Sequence, residues 1–181
     1  MIKKKDLTVW VRIQRGDKVA FGEVYYDQVD SLYNYGSSFT SDVQLLEDAI
    51  QEVFINIWTK RSSISIKSNI KGYLFTSLRR QIISQIGKRN NIELSADFLE
   101  KNTFQNLAFI QADYRMEEVR AEIAKLPNRE REAIILKYQE GLSYDDISSL
   151  MNLKSQAIYK LVSRGMKKLR CKINAKLKLL V

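Results

Sequence analysis

Lys154, Ser155, Gln156, Tyr159 and Lys160 fall at helical spacing just after a short turn, and Arg164, Lys167, Lys168 and Arg170 continue the series. Amide, hydroxyl and cationic side chains grouped in this way donate and accept hydrogen bonds to base edges and hold phosphates. From residue 154 to the C-terminus there are nine Lys and Arg and no Asp or Glu, whereas residues 113–153 carry six basic and nine acidic residues. A helix that reads DNA needs phosphate partners beside its base-reading groups, and the positive charge is confined to that side. An ordinary bundle helix with a solvated lysine face is the competing reading. DNA binding is favoured.

The stretch that must position these groups is GLSYDDISSLMNLKSQAIYKLVSRGMKKLR, residues 141–170, which reads as two short helices around a tight turn. Gly141 suits the left-handed position past a preceding helix, with Leu142 folding back behind it. Ser143 caps the next helix, with Asp146 three residues on in a capping-box arrangement. Ile147 and Leu150 face inward, residues 151–153 turn, and Ile158, Leu161, Val162 and Leu169 form the buried stripe of the second helix. Helices so joined make a helix-turn-helix. Lys154, Ser155, Gln156, Tyr159 and Lys160 lie at the end that enters the major groove, and Arg164, Lys167 and Lys168 lie where the helix passes the backbone.

The 181 residues include no His, one Cys, one Pro and seven Gly, with a net charge of +9 and a pI near 9.6. Such a balance points to an anionic partner, nucleic acid first and membrane surface second. Without His, and with Cys171 alone in a lysine-rich tail, no metal site of His and Cys, no internal disulfide and no familiar catalytic triad is expected. No cofactor, metal or enzymatic role is expected. The basic start MIKKKDLTVW lacks the apolar run of a signal peptide, and no stretch is long and apolar enough to insert in a membrane. A cytoplasmic protein is expected.

Helical spacing predicts a first helix over residues 6–15 carrying Leu7, Trp10, Val11 and Ile13, ended by Gly16. Asp17 caps a second with Phe21, Val24, Tyr25, Val29 and Leu32 as its stripe, ending at Gly36. Ser41 opens a third, with Gln44 three residues on, whose apolar side is Leu46, Ala49, Ile50, Val53, Phe54 and Ile57. Its other side holds Glu47, Asp48, Gln51 and Glu52, on spacing alone a solvated face. The polar residues 60–69 read as a loop. A fourth helix over residues 70–86 carries Leu74, Leu78 and Ile82, with residues 87–91 as its end. In it Tyr73 and Phe75 mingle with Lys71, Arg79 and Arg80, as single-stranded nucleic acid asks of a binding site, although core aromatics with outer arginines fit equally well. Residues 90–112 lose periodicity and read as a linker. Period returns from Asp113 with Met116, Val119, Ile123 and Leu126; Pro127 stops that helix, and Asn128 begins one carrying Ala133, Ile134, Ile135 and Tyr138. Ile173, Leu177 and Leu180 extend the last helix. The fold expected is all-α, with two small helical domains over residues 1–89 and 113–181 joined by the linker.

Two separated segments together resemble one family. GDKVAFGEVYYDQVDSLYNYG followed by LEDAIQEVFINIW resembles region 2 of the extracytoplasmic-function (ECF) group of sigma-70-type sigma factors. LPNREREAIILKYQEGLSYDDISSLM and the helix after it resemble region 4, with the habitual Leu126, Pro127, Arg131 and Glu132. The resemblance implies core RNA polymerase and promoter DNA as partners, and an anti-sigma factor, which commonly holds members of this group. Glu47, Asp48, Gln51, Glu52 and Phe54 then acquire the role of polymerase docking. The segment from the loop through KGYLFTSLRRQ, with Arg61, Lys67, Lys71, Tyr73, Phe75, Arg79 and Arg80, would read and melt the downstream (−10) element. Region 4 would read the upstream (−35) element. The chain departs from the group's habits at Arg80, Ser84 and Gly87, where Asn, Asp and Arg are common. It also departs at Lys154, where Ser usually opens the recognition helix, leaving Ser155 to cap, and at Gly165, where Ala is common. The alternative is a stand-alone helix-turn-helix regulator whose N-terminal half senses a ligand or dimerises.

Overall fold

The structure, a computed structural model, describes residues 4–66, 69–90, 119 and 121–179. Every regular element among them is helical, and the chain divides into two compact units, Met1–Ser95 and Ala96–Val181. All but the first residue of the expected linker lies outside the described residues, as do Lys67, Met116 and Leu180 and the side chains of Leu7 and Leu177.

The first unit comprises α1 (Lys4–Gln14), α2 (Lys18–Gly36), α3 (Val43–Lys60) and α4 (Ile70–Asn90). Gly16, at φ 87°, supplies the left-handed turn after α1, and the Asp17 carboxylate then accepts the Val19 and Ala20 N–H groups, both at 3.0 Å, to start α2. Trp10 and Ile13 are buried, but Val11 faces solvent, since it lies one residue, about 100°, past Trp10 on the helix. On α2 only Leu32 of the expected stripe is fully buried; Phe21, Val24 and Val29 are half-buried and Tyr25 is exposed. The residues that seal α2 into the core are Ala20, Leu32, Tyr35 and Gly36. At Gly36 three helices converge: a Cβ there would stand 2.3 Å from Leu46 Cδ1 and 3.1 Å from Ile82 Cδ1. Leu46, Ala49, Ile50, Val53, Phe54 and Ile57 of α3 and Leu74, Leu78 and Ile82 of α4 are buried as their spacing predicts.

Two boundaries differ from expectation, and Asp42 bears on both. Asp42, not Ser41, caps α3, accepting the Leu45 N–H at 2.9 Å from an extended backbone. The same carboxylate takes a hydrogen bond from Arg89, and α4 runs past the buried Gly87 to Asn90 rather than ending there. Packing around the buried Gly87 and the exposed Arg89–Asp42 pair act together against the weak helix propensity of one glycine, about 1 kcal/mol.

The second unit holds a helical turn at residues 121–124, α5 (Asn128–Ile134), α6 (Tyr144–Met151) and α7 (Ser155–Leu179). Pro127 precedes α5, and Leu126 before it is buried. After Ile134 the helix widens into a π turn, Ile135–Gln139, where the Glu140 N–H reaches back five residues to the Ile135 carbonyl at 3.0 Å. The extra residue shifts the phase of the buried face. Leu136 is buried in place of Tyr138, which is 61% exposed, contrary to the expected stripe. Gly141 is left-handed at φ 68°, and Leu142 turns inward with its N–H on the Leu136 carbonyl at 3.0 Å. The capping box of Ser143 and Asp146 is formed in both directions. Asn152, at φ 54°, makes the turn into α7. Gly165 lets α7 lie against α5, since a Cβ there would meet Ile134 Cδ1 at 2.5 Å. Leu126, Ile134 and Leu169 form a small core against which Ile173 packs.

Asp42 yields a test. Its carboxyl is held below the ordinary 3.8, first by the Leu45 N–H and then by Arg89. A carboxyl with a lowered folded value stabilises fully above 3.8 and loses that contribution as pH falls through the folded value. Asp42→Asn keeps a cap but not the charge. Its penalty, followed by thermal unfolding through Trp10 and Trp58 fluorescence, should be present at neutral pH and shrink as pH drops below 3.8. An equal penalty at both would mean that the charge adds nothing.

Candidate nucleic-acid and partner-binding surfaces

On α3, Glu47, Asp48, Gln51 and Glu52 all stand in solvent, on the side opposite the buried stripe. Gln44 Nε2 donates to Asp48 at 3.0 Å and Asn56 Nδ2 to Glu52 at 2.9 Å, so neutral amides hold both acids and leave their charge uncancelled. Phe54 is not part of this strip. At 5% exposure it packs edge-on against Tyr25 (4.8 Å) and Phe21 (6.0 Å). It lines a groove of about 630 Å³ walled by Phe21, Tyr25, Ile55 and Trp58, with Glu47 and Gln51 beside them. The acidic strip therefore borders an apolar trough.

The residues expected around α4 divide into two sets. Seven residues are nearly two turns, so Tyr73 and Arg80 project about 20° apart, while Phe75 projects about 200° away from Tyr73. Tyr73 and Arg80 line a groove of about 400 Å³ with Asn56, Lys60, Ile64 and Gln81. Phe75 is fully buried, its ring 5.0 Å from that of Tyr35, and it cannot stack a base. Lys71 Nζ lies 5.4 Å from the Phe75 ring and the Arg79 guanidinium 6.0 Å from Phe39, so these two cations belong to the α2 side. Arg61 folds back on its own helix end, its guanidinium 4.4 Å from the Trp58 ring centroid and Nη1 donating to the Trp58 carbonyl at 2.5 Å. Lys60, Asn56 and Gln81 were not singled out in the sequence. Projecting α4 as a helix and pairing it with the end of α3 would have found them.

At the start of α7, Lys154, Gln156, Tyr159 and Lys160 are exposed. Ser155 is the first helical residue rather than a cap, and its hydroxyl donates to Asp145 at 3.2 Å. Further along, Lys167 stands in solvent and makes no ion pair among the described residues. Lys168 and Arg164 are otherwise engaged. Glu130 of α5 has a side chain 7% exposed, with Lys168 Nζ at 2.8 Å and Arg164 Nε at 3.9 Å. A carboxylate so dry requires such partners. In the sequence Glu130 reads only as an acidic residue in a first helical turn, and nothing local marks it as buried. Tyr144, whose ring stacks on Tyr159 at 3.8 Å, was likewise not foreseen.

Two family models match the chain: sigma-70 region 2 over residues 25–92 and sigma-70 region 4 over residues 116–169. The ECF RNA polymerase sigma factor EcfG of Rhodopseudomonas palustris is 30% identical over 141 residues, 78% of either chain. The ECF RNA polymerase sigma factor SigM of Bacillus subtilis is 27% identical over 156 residues, covering 84% of this chain and 94% of that one. Among solved structures, the sigma factor RpoE from Bartonella quintana, crystallised with the anti-sigma factor NepR, is similar with a TM-score of 0.61. Its identity is 26% over 85% of this chain and 96% of that one. A match on the first unit as well as the second speaks for the sigma reading and against a stand-alone regulator.

The two kinds of cation on α7 should answer salt differently. With the chain bound to core polymerase on promoter DNA, Lys167→Ala should reduce the slope of log affinity against log salt by roughly one unit. Replacing Glu130 and Lys168 together by Gln should leave that slope near wild type, because the pair goes as a neutral unit. A double replacement that flattens the slope as much as Lys167→Ala would place Lys168 on phosphate instead.

Proposed function

The chain belongs to the ECF group of sigma-70 RNA polymerase sigma factors, and from that premise we propose how its surfaces divide promoter recognition. The strip of Glu47, Asp48, Gln51 and Glu52 docks on core RNA polymerase, with Phe54 supporting the adjoining groove from below. Tyr73 and Arg80, with Lys60 and Ile64 beside them, receive the separated strand of the −10 element, to which Lys67 adds a cation. Lys71 and Arg79 guide backbone from the other side of α4, while Arg61 shapes the loop entrance. Lys154, Gln156, Tyr159 and Lys160 read base edges of the −35 element, Ser155 fixes the helix start and Lys167 holds phosphate. Arg164 and Lys168 chiefly set the seating of α7. These roles follow the division into residues 1–89 and 113–181, with 90–112 as connector.

One observation supports the division between polymerase and upstream DNA: the unlike chemistries occupy separate exposed faces, acidic on α3 and cationic, with Gln156 and Tyr159, at the start of α7. Opposite charges across an interface steer association and fix register, and polymerase and promoter demand opposite signs. Melting has its own cost. Extruding a base takes a few kcal/mol, and stacking on one aromatic ring returns about 1–3 kcal/mol, so a single Tyr73 with an adjacent cation is on the right scale. An anti-sigma factor is a further proposed partner, by analogy with the RpoE–NepR complex. The proposed place of action is the cytoplasm; no helix among the described residues is long and apolar enough to cross a membrane.

Run-off transcription with core polymerase on fragmented genomic DNA tests the reading as a whole, and wild type should give discrete transcripts. Asp48→Lys with Glu52→Lys should abolish them and weaken core binding in a pull-down while the helical signal persists, since both side chains are exposed. Core binding as tight as wild type would remove the docking assignment. On a promoter so identified, Tyr73→Ala with Arg80→Ala should leave the closed complex formed and suppress permanganate reactivity of the opened thymines. Undiminished reactivity would count against the α3–α4 groove.

A further inference from the structure

Tyr159 stands on the outward face of α7 near its start, 53% exposed. An exposed ring ordinarily hops among rotamers in picoseconds to nanoseconds. This one lies on the ring of Tyr144, centroids 3.8 Å apart and planes 25° from parallel. Tyr144 is itself restrained. It is the first residue of α6, directly after the Ser143 capping box. Lys137 Nζ lies 4.5 Å from its ring centroid and also donates to the Leu142 carbonyl at 3.3 Å. Lys137 belongs to the π turn, so the irregularity that exposes Tyr138 also brings a cation to Tyr144. Burial, and after it the neighbouring phenols of Tyr138 and Tyr159, raise the Tyr144 hydroxyl above its ordinary 10, consistent with a crowded, neutral cluster.

A chain of restraint thus runs from the π turn through Tyr144 to a ring beside Gln156 and Lys160. What can that ring meet in a major groove? Gln156 offers an amide suited to adenine and Lys160 a cation suited to guanine or phosphate. The edge of an aromatic ring has one apolar partner there, the C5-methyl of thymine. We propose that Tyr144 is a positioning residue for promoter specificity, holding Tyr159 so that its ring edge packs against a thymine methyl in the upstream element. The proposal rests on the reading of α7 as the helix that enters that element. Holding the ring before DNA arrives removes a rotamer cost from the binding step. Tyr144 itself touches no base.

The test uses the full chain bound to core polymerase and an upstream element selected from random duplex DNA. Each thymine of that element is replaced in turn by deoxyuridine, which lacks only the methyl. Wild type should lose about fourfold in affinity at one position, the equivalent of one buried methyl group. Tyr159→Ala should bind methylated and unmethylated DNA alike. Tyr144→Ala should lose most of the fourfold difference at that same position, and Tyr144→Phe should keep it, because the ring and not the hydroxyl makes the stack. A merely structural role would lower affinity for both DNAs and leave their ratio intact. Lys137→Met provides a second route should Tyr144→Ala unfold, and it should shrink the ratio without loss of fold. A full fourfold ratio in Tyr144→Ala, or in Lys137→Met if that is the variant that folds, overturns the proposal. So does a wild-type protein indifferent to every methyl. Selection of no upstream element at all would overturn the underlying reading of α7 as well, a result distinct from selection without methyl dependence.

Discussion

A carboxylate in a nearly dry seam governs the second half of this molecule. Glu130 needs both Lys168 and Arg164, and both come from one side of α7. Losing its partners would strand a buried charge, so α7 is not at liberty to roll about its axis. A roll of a single residue is about 100°. It would carry Gln156, Tyr159 and Lys160 off the exposed face, lift Leu169 out of its core and drive polar groups onto Leu126 and Ile134. Lys167 and Lys168 are neighbours of the same type, yet about 100° of helix separates them, and only Lys168 is turned to Glu130.

The first unit solves a similar problem with a carboxylate near water. Asp42 starts α3 through the Leu45 N–H and simultaneously receives Arg89 from the end of α4. One side chain therefore sets where α3 begins and bears on how far α4 runs. With α3 fixed at its start, its dry stripe and its acidic strip face opposite ways. The aromatic trough between α2 and α3 remains unfilled because α2 buries chiefly small or late residues, Ala20, Leu32, Tyr35 and Gly36, against the core.

Much of this was legible in the sequence because it is local. Gly141, the box of Ser143 with Asp146, the cap at Asp17 and the stripes of α3 and α7 each depend on residues within one or two turns. What could not be read depends on partners far along the chain or on a change of period. Glu130 meets Lys168 across 38 residues and Asp42 meets Arg89 across 47, and no local pattern announces either. Tyr138 points outward because five residues of π helix break the period on which its placement was reckoned. Phe75 is in the core and Tyr73 is not, although they are two residues apart among the same cations. Composition could not divide them, and helix geometry did.

The contact at Gly165 has a bearing on descent. A Cβ at that position would stand 2.5 Å from Ile134 Cδ1, with Glu130 Cβ at 3.5 Å behind it. Alanine, common at this point in the group, therefore suits a lineage whose residue at 134 is a methyl shorter, as valine is. Positions 134 and 165 should drift as a linked pair, neither free to change far ahead of the other. The seam that seats α7 would leave its mark as paired changes in two separated columns of related sequences.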